Sequence, residues 1–455
     1  MKSPAQIVTL VAATLAGVGL LAGCSAPAAD DGTTTIRVVS LIPGTEQAAF
    51  DAFDAQVAQF EKANPDITVE GVEYEWSAPT FASQLAGGTL PDVFRIPLTD
   101  AKTLIANGQL ADLTDQVEAL PYFDTFNPSV LSNAQDSDGN IFGVPREAYG
   151  MGLQYNRALF EEAGLDPDVP PTTWDEVREY AKIIADKTGQ AGYMQMTQSN
   201  TGGWQLTAAT VARGGSMEEV ASDGTVTVTA DNPATKEALE YLQELRWTDN
   251  SMGSNFLFDW GTINQAFAAG QIGMYTGGSD LFTSLTRESN MNADDYGLAA
   301  IPLTDAKDAG VLGGGTLNVV NVKADEAVKD AAMKWIAFYD LKRLVDKDAA
   351  LQDAQTLAET DQAVGTPALP VFDQATLDQS REWVKDYINV PQDQIKYFAE
   401  GNVGRTIVGE PSAHTQELYG ALDTAVQSVL TDKNADIDAL LDTVNETIQP
   451  LVDAD

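Results

Sequence analysis

Apolar positions along the chain fall into short runs that switch between two periods. Ile36-Arg37-Val38-Val39-Ser40-Leu41 is dense and of strand length. Pro43-Gly44-Thr45 then turns the chain, and Thr45 stands where a helix cap belongs. Phe50, Phe53, Val57 and Phe60 recur three or four residues apart, one face of a helix, which Asn64-Pro65-Asp66 stops. Ile67-Thr68-Val69 and Val72 to Trp76 alternate like a strand. Phe81 to Ala86 predicts a short helix ended by Gly87-Gly88. Val93 to Ile96 predicts a strand, and Leu98 to Ala106 a helix ended by Asn107-Gly108. This β-α-β-α-β order predicts an α/β layer with a largely parallel sheet.

The pattern continues beyond. Gly139 to Pro145 predicts a hairpin turn and strand, and Leu153 to Asn156 a strand running into a helix over Arg157 to Ala163. Thr173 with Glu176 three residues later is a capping box, followed by the apolar face Val177, Tyr180, Ala181 and Ile184. Further helices are predicted over Trp204–Val211, Pro233–Trp247, Trp260–Ala269 and Ala327–Tyr339. Further strands are predicted over Thr225–Thr229, Ile272–Tyr275, Tyr296–Pro302 and Leu317–Val320. The last third is mostly helical. No repeat of solenoid length is visible.

The first residues read differently. Lys2 precedes an uncharged apolar run from Ile7 to Leu21, about 15 residues, short of the ~20 that span a bilayer. Leu21-Ala22-Gly23-Cys24 follows and holds the only cysteine. Ser25 to Thr35 is small, polar and suited to a flexible tether. The 455 residues carry 67 Asp plus Glu against 26 Lys plus Arg, a net charge of −41. Such acidity argues against nucleic acid and acidic membrane surfaces as partners. One Cys and one His leave no internal disulfide, multi-Cys zinc site or His-based metal centre. No cofactor and no metal is expected. Asp136-Ser137-Asp138-Gly139-Asn140 begins like a calcium loop but is read as a hairpin turn. His414 is read as part of a capping loop. The Gly-rich stretches lack the Lys-Ser or Lys-Thr of a nucleotide P-loop.

Several segments, in order, resemble a known family. They are Phe60 to Val69, Ala86-Gly87-Gly88-Thr89-Leu90-Pro91-Asp92-Val93, Asn107-Gly108-Gln109-Leu110, and Asp138-Gly139 through Val144-Pro145. Gln154-Tyr155-Asn156, Leu159 to Leu165, Pro171 to Glu176 and Phe267 to Met274 complete the series. Together they resemble the extracellular solute-binding proteins of ABC importers, of the maltose- and oligosaccharide-binding type. Leu-Ala-Gly-Cys is similar to the bacterial lipobox.

The resemblance implies two α/β lobes of the periplasmic-binding-protein type (type II), each with a mixed, mostly parallel sheet flanked by helices, and a ligand cleft between them. It implies a lipoprotein signal peptide over 1–23, a tether over 24–35, and a diacylglyceryl thioether on Cys24 that holds the chain to the extracytoplasmic face of the cell membrane. An N-terminal lobe over 36–148 and 306–350 and a C-terminal lobe over 149–305 and 351–455 are expected. Capture by hinge closure, delivery to membrane permease subunits and a monomeric, non-enzymatic chain are the implied function. A carbohydrate is the expected solute.

A sugar site needs aromatic faces against pyranose C–H surface and planar polar groups to orient hydroxyls. Trp174, Trp247 and Trp335 lie on helical faces and read as core. Trp76, Trp204, Trp260 and Trp383 lie near loops or element ends and are aromatic candidates, with Trp204 foremost after the polar Ser199-Asn200-Thr201-Gly202-Gly203. Polar and backbone candidates sit at strand ends, where open α/β sheets bind ligands: Thr45, Glu46, Arg95, Arg146, Glu147, Tyr149, Tyr275, Gly278, Ser279, Gly314 and Gly315. Two rival readings stand beside this one. A secreted, lipid-anchored glycosidase would need a pair of carboxylates, and no pair stands out among 67 acidic residues. A binder of a polyol or glycerol phosphate is the other, weakened by the negative net charge.

Overall fold

The computed structural model describes residues 33–454 apart from 42–46, 75, 77, 222–223, 360–361, 368 and 403. Eleven strands are formed among the described residues: β1 Thr34–Val39, β2 Ile67–Val72, β3 Val93–Pro97, β4 Val144–Asn156, β5 Ala191–Tyr193, β6 Glu218–Val220, β7 Val226–Val228, β8 Ile272–Gly278, β9 Tyr296–Ala300, β10 Val311–Val320 and β11 Ile407–Val408. The main sheet runs β2-β1-β3-β10-β4-β8-β5, with β9 also on β4 and β11 also on β10. β6 and β7 form a separate ribbon.

The main sheet is mixed. β1 pairs in parallel with β2 and β3, and β5 with β8. The middle is antiparallel, because β4 and β10 run against their neighbours. β4 is long enough to serve two sheets. Its residues 144–150 pair with β10, and 151–156 pair with β8 and β9. β10 does the same from the other direction, pairing with β3 over Thr316–Val320 and with β11 over Val311 and Leu312. The Gly313-Gly314-Gly315 stretch lies inside β10, whereas the sequence reading put it ahead of the strand. The cause is local. A Cβ at Gly315 would stand 2.2 Å from the Glu147 carbonyl oxygen, and Gly315 has φ +153. Only glycine lets β10 approach β4 here.

Each lobe builds its own core on this frame. In the first, Val93 faces a cluster holding Ile36, Val38, Phe60 and Trp335. Its neighbours Phe94 and Ile96 join Phe81, Leu317 and Val319. The two-residue period of a strand thus fills both faces of the sheet. The helix Gln47–Ala63 presents Phe53 and Phe60 to Trp335, at ring distances of 5.8 and 5.2 Å. Burying side chains of this size contributes ~1.5–3 kcal/mol each. In the second lobe Leu153, Tyr155, Phe160, Val177, Ile184, Phe267, Met274 and Val426 share one core. The helix Trp174–Thr188 starts on the capping box: Thr173 accepts from the Glu176 N–H, and Glu176 accepts from the Thr173 N–H. The two-lobed α/β class expected from the sequence is the class observed.

Candidate functional site

Two cavities lie beside the stretch where β4 and β10 pass each other. The first, of about 390 Å³, is lined by Tyr74, Trp76, Arg95, Arg146, Glu147, Gly315 and Thr316, among others. The second, of about 310 Å³, is lined by Tyr149, Trp204, Trp260, Gly278, Asp280, Glu410 and Tyr419, with the Ser199–Thr201 turn and Gln416. β4 feeds both: Arg146 and Glu147 reach the first, and Tyr149, two residues on, reaches the second.

In the first cavity every cation has an acidic neighbour. The Arg146 Nε donates to Asp340 Oδ1 at 2.9 Å, and its guanidinium also pairs with Glu147 at 2.8 Å. Asp340 is buried and lies 3.9 Å from the Arg95 guanidinium. Thr316 Oγ1 donates to Glu147 at 3.1 Å. Trp76 packs on Phe81 and Phe94, and its indole N–H donates to Asp100 Oδ2 at 2.9 Å. Burial raises the Asp100 pKa, and the Trp76 hydrogen bond works the other way.

The second cavity is walled by aromatics around a carboxylate. Tyr419 Oη donates to Glu410 Oε2 at 3.0 Å and Tyr149 Oη to Oε1 at 3.4 Å. Trp204 lines the cavity beside the same carboxylate. Burial nevertheless raises the Glu410 pKa, helped by Asp100 from the first lobe. Trp204 is placed by helix packing. A Cβ on Gly203 would stand 2.3 Å from the Tyr419 carbonyl oxygen, so this glycine lets the helix Thr201–Val211 press on Thr415–Thr431. Asp423 of the second helix accepts from the Asn200 and Gly203 N–H groups, both at 2.8 Å, and holds the turn before Trp204. Asp280 opens into the same cavity with a pKa raised by burial and by Glu147. Among the described residues, no Lys or Arg lines this cavity.

The structure therefore brings Trp76, Arg95, Arg146, Glu147 and Gly315 to one cavity and Tyr149, Trp204, Trp260 and Gly278 to the other. Four further expected positions line neither. Tyr275 is 1% exposed, and its Oη donates to Asn264 at 2.6 Å, because its ring packs on Phe267 inside the core. Ser279 is wholly buried. Gly314 lies under the Tyr149 ring, with room for no side chain. Trp383 sits on the helix Gln374–Val384, which packs on Lys347–Glu359. Thr45, Glu46 and Cys24 lie outside the described residues. Residues the sequence reading missed include Glu410, Tyr419, Asp280 and Asp100. Asp280 was within reach, directly after Gly278 and Ser279. Glu410 and Tyr419 carry no local signal.

Among the described residues, no group of three or more His, Cys, Asp or Glu is placed to hold a metal ion, and no helix is long and apolar enough to cross a membrane.

Two α/β lobes that share their crossing strands, with an aromatic-lined cavity on either side of the crossing, define a two-lobed binding-protein architecture. The sequence model of the family described as bacterial extracellular solute-binding protein matches residues 55–343, and the chain belongs to that family. It is 26% identical over 294 residues to the sn-glycerol-3-phosphate-binding periplasmic protein UgpB of Escherichia coli K12, covering 61% of this chain and 65% of the relative. The chain thus spans just under two thirds of the length of that curated relative. Among solved structures, the cyclic alpha-maltosyl-1,6-maltose binding protein of Arthrobacter globiformis superposes with TM-score 0.69 at 23% identity, covering 93% of this chain and 100% of that one. UgpB of Mycobacterium tuberculosis, solved with glycerophosphocholine, gives TM-score 0.65 at 19% identity over 93% and 99% of the two chains. These likenesses concern the fold.

Proposed function

We propose that this chain is the solute-capturing subunit of an ABC importer and that its solute is a carbohydrate. The observation that carries the reading is the make-up of the second cavity. Tyr149, Trp204, Trp260 and Tyr419 supply flat apolar faces, and Asp280 and Glu410 supply acceptors for hydroxyl groups. Aromatic faces match the C–H side of a pyranose, and fixed acceptors orient its hydroxyls. The ligand lies between the lobes, which close over it about β4 and β10 and open to deliver it to a membrane permease. In this division the helices Lys347–Glu359 and Gln374–Val384 move with the first lobe, because they pack with Lys342–Val345. The chain returns to the second lobe before the helix Gln392–Asn402, which packs on β9. No bond is broken, the working unit is a monomer, and a lipid on Cys24 tethers it outside the cell membrane.

The relative named for glycerol 3-phosphate motivates a second reading, an anionic ligand. The cavities disfavour it. Arg146 is bound to Asp340 and Glu147, Arg95 lies beside Asp340, and among the described residues no cation lines the second cavity. A phosphate would enter against Asp280 and Glu410.

A thermal-unfolding panel of mono- and oligosaccharides, polyols and glycerol phosphates tests both. A ligand at a hundred times its Kd stabilises the native state by ~2.7 kcal/mol, a rise of several degrees. The expected result is a shift with one related group of sugars, recovered intact. A shift with glycerol phosphate alone would overturn the carbohydrate reading, and hydrolysis of the bound sugar would overturn the transport reading.

A further inference from the structure

The second cavity is lined by two carboxylates, Asp280 and Glu410, and among the described residues by no Lys or Arg. Asp280 projects into it, and among the described residues Asp280 is in no ion pair and its neighbour Glu147 only adds like charge. Glu410 is the other carboxylate, already bonded by Tyr149 and Tyr419. Across the crossing the nearest guanidiniums are spoken for by Asp340 and Glu147. Asp280 is exposed and lines the cavity, so its carboxylate is open to a ligand that brings a positive charge. The aromatic rings around it favour a cation for a separate reason, the negative faces of their π systems.

We propose that the solute is a basic carbohydrate, an amino-substituted sugar whose ammonium group pairs with Asp280 while Trp204 and Trp260 cover its ring. This rests on the carbohydrate reading and narrows it. The ammonium donates to the Asp280 carboxylate, and the remaining hydroxyls reach Glu410 and the turn at Ser199–Thr201.

The test is isothermal titration of the purified full chain with matched pairs: glucosamine and glucose, the fully deacetylated chitosan dimer and cellobiose, the chitosan trimer and cellotriose. Each pair differs at C2 in carrying an ammonium or a hydroxyl. The expected result is tighter binding of the amino member by tenfold or more at pH 7, weakening as NaCl is raised. Asp280→Asn should abolish that preference and its salt dependence while leaving the circular-dichroism spectrum unchanged. If that variant does not fold, the salt dependence of the unsubstituted chain decides. Neutral members binding as tightly as their amino partners, or a preference that survives Asp280→Asn, would overturn the inference and leave the carbohydrate reading in place. No binding by any member of either series, from folded protein, would overturn both.

Discussion

Substituting Gly314 by alanine adds one methyl group at the place where the crossing strands meet the second cavity. The added Cβ would lie 2.5 Å from Tyr149 Oη, 2.7 Å from Cζ and 2.8 Å from Cε1. Carbon atoms pack at ~3.5 Å or more, so the ring must retreat by about 0.8 Å. Gly314 does not have a left-handed backbone, so alanine fits the chain itself. What gives way is the tyrosine. Its hydrogen bond to Glu410 is already 3.4 Å long, and its ring is one wall of the cavity. A disturbed bond to a half-buried carboxylate and a misplaced wall together amount to about 1–3 kcal/mol. That is roughly a 5- to 150-fold loss of affinity. The assay is titration with the sugar identified by the unfolding panel, alongside Tyr149→Phe and the double variant. Phenylalanine removes Oη, the closest atom, so Gly314→Ala should cost less in that background, with a coupling of at least ~0.5 kcal/mol. Wild-type affinity in Gly314→Ala would refute the reasoning, because the Tyr149 ring would then have no part in the site. So would losses in the double variant that simply add.

Other outcomes follow from the same geometry. Trp204→Ala should weaken sugar binding by ~1 kcal/mol or more with the fold retained by circular dichroism; unchanged affinity would remove Trp204 from the site. Thr173→Ala should cost ~1 kcal/mol of stability through loss of the helix cap, read as a lower unfolding midpoint. Donors from Thr172 and Thr173 hold the Glu176 pKa below its ordinary 4.5. Its contribution is therefore present above that value and is lost as pH falls through the lower folded value. The stability difference between the chain and Glu176→Ala should shrink over that window, and a constant difference would contradict the assignment. Cys24→Ser should move the chain from the membrane fraction to the medium, and continued retention would argue for an uncleaved span.

The elements were legible because they are written in local patterns. The spacing of Phe53 and Phe60, the Thr173-Glu176 box and the dense run at Ile36 each need only a few consecutive residues. The site was legible only where it borrows from such patterns. Arg146, Glu147 and Tyr149 stand out because they follow Pro145 at a strand the resemblance marks as a crossing. Tyr275 looked equivalent at another strand end, yet every residue of β8 is buried, and alternation alone does not say which burial is core and which is cavity. Trp383 had the residue type and the loop proximity but is not among the lining residues of either cavity. Glu410 and Tyr419 come from the far end of the chain. They meet Trp204 only through the contact of two helices that Gly203 and Asp423 permit, a relation more than 200 positions apart in sequence.

β4 does two jobs within four residues. Arg146 and Glu147 belong to one cavity and Tyr149 to the other, while the same backbone pairs with β10 at the crossing about which we propose the lobes close. In a protein that must shut to hold its cargo, observed affinity is the intrinsic affinity scaled by the fraction of molecules able to shut. On that proposal pocket and pivot share their atoms, so retargeting the chain to a new cargo by changing these positions also resets how readily it shuts. Grip and release are then one adjustable quantity rather than two, and a library built at residues 146–149 would sample trade-offs between them, not independent improvements.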